Sequence, residues 1–437
     1  MSIVRRAFLS LSVIIVFAFA VRAGLYWYIQ LHARVPIIYP APFGYETGSI
    51  AKSIATGNGF SSPLRIPTGP TAWLTPIYPY LLAGVFKLFG VYSYLSNLVI
   101  ILLNDLFSAL TCIPIYFIAK RLGGAKLAAG AAWVWALYPN AILLPFEWVW
   151  DTSLSAMMAG FVLWATMAVA DSRRLRDWIA YGLLYGAALM TNASFASVLP
   201  FLFGWLAWKL FKAHARWVQL PAVAVLAAMM SCVPWTIRNY VTFHKFIPLR
   251  SNLGLELWLG NNEQVPDTWA GFLHPNDYPP EGEKYARMGE AAYMAEKQHE
   301  AVQFMLGHPR DTMRFFWRRF ADNWLGTWEP IQDIWPSLSW ESKTTLLSNI
   351  SFSLLGLVGA LLLLRQKSPY AFPMAMFPLI FPIVYYITHS SLRYRHPIDP
   401  VMAVLTAVAL GYPLRAIFGK KRMPATNESL HASEARS

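Results

Sequence analysis

The chain has 437 residues, 56% of them hydrophobic and only 14% charged, with a mean hydropathy of +0.39. A soluble chain of this size carries about 25% charge, so a water-soluble globular protein is excluded. The formal charge of +13 is gathered in short clusters between apolar runs, which explains it by membrane topology and leaves no role for nucleic acid.

Apolar runs of about 20 residues, each long enough to cross a ~30 Å hydrocarbon core, predict an all-α polytopic membrane protein. About ten transmembrane helices are expected, at 7–31, 95–119, 126–143, 150–170, 178–192, 195–211, 217–237, 344–364, 369–388 and 397–417. Arg5 and Arg6 precede the first run, and apolar and aromatic residues continue through Trp27 to Leu31, which reads as an uncleaved span rather than a signal peptide. Lys120, Arg121 and Lys126, then Arg173, Arg174 and Arg176, then Lys209, Lys212 and Arg216, then Arg365 and Lys367 fall in alternate connections, and Lys420 to Arg422 follow the last run. The loops 144–149 and 193–194 contain no Lys or Arg. By the positive-inside rule both termini are cytoplasmic and the chain is a multi-pass protein of the inner (plasma) membrane. Cys112 and Cys232 lie inside apolar runs and read as small core residues.

Four regions follow: a membrane region 1–240 that includes a first outer loop at 32–94, an outer segment 241–343, C-terminal membrane helices 344–418, and a polar, disordered cytoplasmic tail 419–437. Within the first outer loop, YETGSIAKSIATGNGF predicts a short helix with Glu46 in its first turn, Ile50 and Ile54 on one face, and Gly57 and Gly59 at its end. Residues Tyr78 to Phe89 predict an interfacial helix, because counting them as a span would break the charge alternation. In the outer segment, Leu253, Leu255, Leu257 and Leu259 alternate as a half-buried strand would. Two helical patterns follow at 285–306 and 309–325, making a small α/β outer segment. Phe316, Phe320 and Trp324 share one face of the second, with Arg314, Arg318 and Arg319 on others, a pattern suited to the membrane surface.

The candidate chemistry lies on the outer side. Glu46 is the leading acid, since a carboxylate in a first helical turn is favoured by the helix dipole and stays ionised; the alternative is a helix-terminus charge. Asp151, with Glu147 one turn earlier, sits at the mouth of the fourth span and is either a second functional acid or a cap. Asp105 falls mid-membrane, where an acid must face protein or water, and its role as functional or structural stays open. Arg238 in PWTIRNY, and Arg393 and Arg395 in HSSLRYRHP, lie at outer loops against the positive-inside trend. Guanidinium groups there suit a lipid phosphate, which they bind in a bidentate way; the alternative is a headgroup contact. Tyr45, Lys52, Glu147, Tyr394 and His396 are further candidate substrate contacts. His389 and His396 are a weak metal pair, and the sequence has no HExxH, P-loop or strand-borne GxGxxG motif.

Taken together, Glu46 in YETGSIAKSIATGNGF, the following GPTAWLTPIYPYLLAGVFKLFG, Asp151 in WVWDTSL, PWTIRNY and the late RYRHPIDP resemble bacterial integral-membrane glycosyltransferases of the GT-C superfamily. The likeness is to the branch of protein O-mannosyltransferases and aminoarabinose transferases, glycosyltransferase family 39. It implies an inverting transfer of a hexose or pentose from a polyprenyl-phosphate donor to a glycan, lipid or protein acceptor on the outer side. It also implies that Glu46 and Asp151 are catalytic and that Arg393, Arg395 and Arg238 bind the donor phosphate. Such enzymes usually place Asp where Glu46 stands, often with a second acid, so base identity and any divalent-metal requirement stay open. The rival class is a transporter or flippase of lipid-linked glycans, which would place its polar sites mid-membrane and carry repeated halves.

Overall fold

The computed structural model describes residues 9–32, 43–147 and 149–418, with only the backbone given at 341 and 412–418. The predicted arginines at 5 and 6, the tail 419–437 and residues 33–42 of the first loop lie outside them.

Among the described residues the chain is helical, and the apolar runs of the sequence form helices throughout. Six helices or helix pairs are long and apolar enough to cross a membrane: Leu11–His32, Tyr94–Leu137, Thr152–Val169, Phe195–Lys212, Gln219–Phe243 and Ser342–Arg365. The 44-residue stretch Tyr94–Leu137 turns back on itself at Gly123 and Gly124, whose backbones leave the helical region. The Trp135 indole donates to the Ser108 carbonyl at 2.7 Å, which fixes the two arms as an antiparallel pair. The predicted basic connection at 120–126 therefore lies at this reversal. The predicted span 369–388 is two shorter helices, Ala371–Ile380 and Ile383–Ile387, since Pro378 and Pro382 remove backbone donors there.

Small residues let these helices approach closely. The bundle core includes Ala128, Ala129, Ala132 and Ala136 of one arm, packed among Ala156, Ala159 and Ala403, as expected where lipid supplies no hydrophobic drive and backbone proximity takes over.

Residues 253–325 form a separate helical lobe at one end of the bundle, with a core of Leu255, Leu259, Tyr285, Tyr293 and Phe315. The predicted strand is instead the helix Leu253–Gly260. Leu255 and Leu259 are four apart and both buried, whereas Leu253 is exposed, so the same leucines satisfy a helical face. Leu, unbranched at Cβ, favours the helix, while β-branched residues that would favour a strand are missing from 253–260. The segment 241–343 is thus all-α among the described residues. The helix Pro309–Leu325 buries Phe315, Arg319 and Asn323 and exposes Met313 and Trp317. Arg319, predicted on a surface face, points inward and donates to the carbonyls of Thr268 (2.8 Å), Ile387 (2.9 Å) and Gly260.

The first loop is fastened to this lobe by Glu290. Its carboxylate accepts from the Ala72 backbone at 2.7 Å, the Ser251 hydroxyl at 2.6 Å, the Tyr285 hydroxyl at 2.7 Å and the Thr71 hydroxyl. Trp73, from the same loop, is buried in the lobe core.

Candidate active site

Two close backbone approaches bring distant loops together at the lobe end of the bundle. Gly44 caps the loop helix Tyr45–Ala55 with a φ of 72°, and a Cβ there would stand 1.9 Å from the Val149 carbonyl oxygen. Glycine at this point seats Glu46 beside the Trp150–Asp151 loop. At the end of Leu253–Gly260, a Cβ on Gly260 would stand 1.7 Å from the Thr388 carbonyl oxygen, so the lobe helix meets the last loop next to His389.

Between these contacts lies a cavity of about 700 Å³ whose lining includes Tyr45, Glu46, Glu256, His274, Arg393 and Tyr394. The Glu46 carboxylate pairs with His274 Nε2 at 3.1 Å. Burial pushes the Glu46 carboxyl up, but the His274 hydrogen bond and charge, with the charge of Arg393, outweigh it and hold its pKa below the ordinary value. Burial pushes His274 down, yet its bond to Glu46 and the charges of Glu46, Glu256 and Asp277 raise it above the usual imidazole value.

Each member of this pair contributes stability on its own side of the pH scale. The depressed Glu46 contributes above the unfolded carboxylate pKa and loses that contribution as pH falls through its folded value. The raised His274 contributes below the unfolded imidazole pKa and loses it as pH rises through its folded value. The pair is therefore worth most between the two. His274→Gln removes the cation but keeps a donor, and His274→Ala removes both. The acid limb of kcat/KM should move to higher pH in the order wild type, Gln, Ala; an unmoved limb in the Ala variant would show that Glu46 does not report in catalysis.

A second chain of contacts runs along the cavity wall. Asn252 Nδ2 donates to Glu256 Oε1 at 2.7 Å and Arg250 lies 3.5 Å from the same oxygen. The other oxygen, Oε2, faces His389 Nδ1 at 3.3 Å. His389 Nε2 is 2.8 Å from the Tyr394 hydroxyl, to which Arg393 donates at 2.8 Å. Burial and the nearby cations Arg393, Arg319, His274 and Arg250 hold His389 well below the usual imidazole value, so it is neutral. The Tyr394 hydroxyl thus joins His389 Nε2 to the Arg393 guanidinium and holds the arginine in place. The Arg393 guanidinium lies 4.2 Å from the Trp150 ring centroid, and Trp269 stacks on the His389 ring at 4.7 Å.

Of the predicted residues, Glu46, Tyr45, Arg393 and Tyr394 come together in this cavity, and Lys52 lines a neighbouring groove. The rest lie elsewhere. Asp151 adjoins the cavity without lining it, and its Oδ2 accepts from Ser155 (2.7 Å) and Asn192 (3.1 Å), which ties two helices. Glu147 is exposed. Arg238 donates to the Thr71 and Phe60 carbonyls at 2.6 and 2.7 Å and stitches the first loop to its helix. Arg395 is fully buried, paired with Asp399 at 2.9 Å and donating to Ser353 and to the Trp324 carbonyl. His396 is equally buried, 3.2 Å from the same Asp399. Asp105 is buried within Tyr94–Leu110, and its carboxylate makes no hydrogen bond among the described residues.

The correction at Arg395 and His396 has a physical basis: residues two apart on a helical turn project about 200° apart, so Arg393 faces the cavity while Arg395 faces the bundle. Arg395→Ala strands Asp399 in the interior and should cost about 3–5 kcal/mol of stability. Thermal unfolding in detergent checks this, and an unchanged Tm would return Arg395 to the list of ligand contacts.

Glu256, His274 and Arg250 were missed from the sequence. Glu256 was read as part of a strand, and the partners of Glu256 and His274 across the cavity, His389 and Glu46, are distant in the chain; Arg250 pairs locally with Asn252 and Glu256. Among the described residues, no three His, Cys, Asp or Glu side chains are placed to hold a metal ion; Glu46 and His274 bind each other instead.

The chain is thus a helical membrane bundle with a loop helix and a helical lobe beside a charged cavity. Residues 72–237 match the family model described as dolichyl-phosphate-mannose-protein mannosyltransferase. The archaeal oligosaccharyltransferase AglB of Archaeoglobus fulgidus, solved with an inhibitory peptide and a dolichol-phosphate, is similar in fold at a TM-score of 0.55 and 14% identity; the match covers 94% of this chain and 52% of that one. The same enzyme in complex with Zn and sulfate gives a TM-score of 0.55 at 13% identity, covering 92% and 49%. ArnT of Cupriavidus metallidurans, bound to undecaprenyl phosphate, matches at a TM-score of 0.43 and 15% identity, covering 91% and 78%. The chain spans about half the length of AglB. No curated protein matches the chain in sequence. The family match covers neither Glu46 nor Arg393, so the reading of those two rests on geometry.

Proposed function

We propose that the protein is an inverting glycosyltransferase that moves a sugar from a polyprenyl-phosphate donor to an acceptor hydroxyl on the outer side of the membrane. The observation that carries this reading is the meeting of Glu46 and Arg393 in one cavity. A carboxylate held ionised and a guanidinium held charged there match the two needs of the reaction. Burial lowers the Arg393 pKa, but Tyr394, Glu46 and Glu256 raise it above the usual value.

In the reaction the acceptor oxygen attacks the anomeric carbon from the face opposite the phosphate. The new C–O bond forms as the bond to the phosphate oxygen breaks, and the configuration inverts. The acceptor's proton passes to the Glu46 carboxylate, a contribution of roughly 10²–10⁴-fold. The bond electrons leave on the polyprenyl phosphate, whose growing charge Arg393 offsets from a fixed position. His274 keeps Glu46 ionised before attack. Glu256, His389 and Tyr394 hold Arg393 in place. Residues of the 241–343 segment form one wall, which suits a cover over the bound substrates. The AglB structures contain dolichol-phosphate with an inhibitory peptide and, in another, a tethered acceptor peptide, which supports a lipid phosphate and an acceptor here.

The test supplies the full-length protein in lipid nanodiscs with polyprenyl-phosphate sugars and a mixed panel of acceptors. Transfer with inversion, read by NMR of the product anomer, is the expected result. Movement of an intact lipid-linked glycan across the bilayer without cleavage would make the protein a flippase instead.

A further inference from the structure

Beside the Glu46 cavity lies a second, larger groove of about 970 Å³, to which the reaction described above assigns nothing. One wall is a single face of the loop helix: Tyr45, Ser49, Lys52, Ser53 and Thr56 recur at helical spacing and all line it. Glu46 and Ile50 point the other way and are buried. The opposite wall carries Ser61, Ser62, Arg65 and Asn276. Lys52 and Arg65 are its charged lining residues, and no acidic side chain lines it among the described residues.

Groove and cavity share Tyr45. The Arg65 guanidinium lies 5.9 Å from the Tyr45 ring centroid, Tyr45 stacks on Trp150 at 6.1 Å, and Arg393 lies over Trp150. A row of cation, two aromatic rings and cation thus leads from the groove to the proposed phosphate site. Arg65 also lies 3.7 Å from Asp277, but that pair is solvent-exposed on both sides and yields readily to a competing anion. Lys52 makes no ion pair among the described residues; its ammonium sits 5.8 Å from the Tyr92 ring centroid.

We propose that this groove is the acceptor site and that the acceptor is an anionic glycan, a saccharide chain bearing carboxylate or phosphate groups. The inference rests on the transferase reading. Hydroxyl and amide side chains at successive turns match the repeated hydroxyls of a saccharide, and Tyr45 and Tyr92 add aromatic surface to the lining. Lys52 and Arg65 supply the charge complement. A chain seated in the groove reaches Glu46 past Tyr45, its immediate neighbour.

The experiment titrates full-length protein in zwitterionic nanodiscs with neutral, carboxylated and phosphorylated oligosaccharides of equal length. Acidic ligands should bind about fivefold tighter than the neutral one, the size that a partly exposed ionic contact supplies. A preference for only one of the two acids supports the proposal and identifies the anion. The double substitution Lys52→Gln, Arg65→Gln should abolish the preference, and Lys52→Arg, Arg65→Lys should keep it. Equal binding of neutral and acidic ligands, a preference that survives the Gln substitutions, tighter binding of a hydroxyl-bearing peptide, or displacement of the glycan by anionic lipid would each overturn it. Polyprenyl phosphate binding on the same samples separates the two readings. If that binding is intact and the preference absent, only the acceptor assignment falls; if it is absent, the transferase reading falls first.

Discussion

Glu46→Gln is expected to lower sugar transfer by about 10²–10⁴-fold, the range removed with a general base, while polyprenyl phosphate binding is retained. Gln has nearly the same shape, and its amide oxygen can still accept from His274, so the loop helix stays seated by Ile50 and the Gly44 contact. What is lost is the ability to take a proton. Glu46→Asp is the more searching variant, since it restores the residue usual in GT-C enzymes but withdraws the carboxylate by one methylene from a partner 3.1 Å away. Activity should fall less than with Gln. Full activity in the Gln variant would remove Glu46 from the chemistry and direct attention to Glu256 and Asp277, the other carboxylates lining the cavity among the described residues.

Two kinds of feature were legible in the sequence. Apolar runs separated by basic clusters marked the helices, because lipid imposes one length and one pattern on every span. Glu46 and Arg393 stood out because each sits in a short loop where the topology leaves little reason for a charge. The neighbouring features misled for local reasons. Leucines at alternate positions over eight residues fit a strand and a helical face equally well, and only burial of Leu255 and Leu259 separates the two. Arg395 looked equivalent to Arg393, although Asp399 four residues on was an available sign of an internal pair. The Glu46–His274 and Glu256–His389 contacts join residues more than a hundred positions apart, and no local pattern encodes such pairing. On the loop helix only Tyr45 and Lys52 of the face that lines the larger groove were singled out, because hydroxyl residues such as Ser49, Ser53 and Thr56 carry no signal in sequence.

Arg393→Ala should reduce transfer by about 10²–10³-fold, or about 2.7–4 kcal/mol of lost charge stabilisation, the usual effect of deleting one preorganised partner of a developing anion. The loss should fall on kcat as well as on the donor KM, because charge on the phosphate is greatest as the glycosidic bond breaks. Arg393→Lys retains the charge but gives up the planar stacking on Trp150 and the fork that can hold two oxygens, so it should recover only part of the activity. The Glu256–His389–Tyr394 chain gives a second handle on the same group. Tyr394→Phe deletes the hydroxyl that accepts from Arg393 at 2.8 Å and leaves the ring stacked on Tyr385 at 4.7 Å. Its effect should be smaller than that of Arg393→Ala and should vanish in the Arg393→Ala background, since a residue that acts only by positioning another has nothing left to position. Independent, additive losses in that double-variant cycle would mean that Tyr394 touches the substrate itself, and the arginine would then stand alone as the phosphate partner.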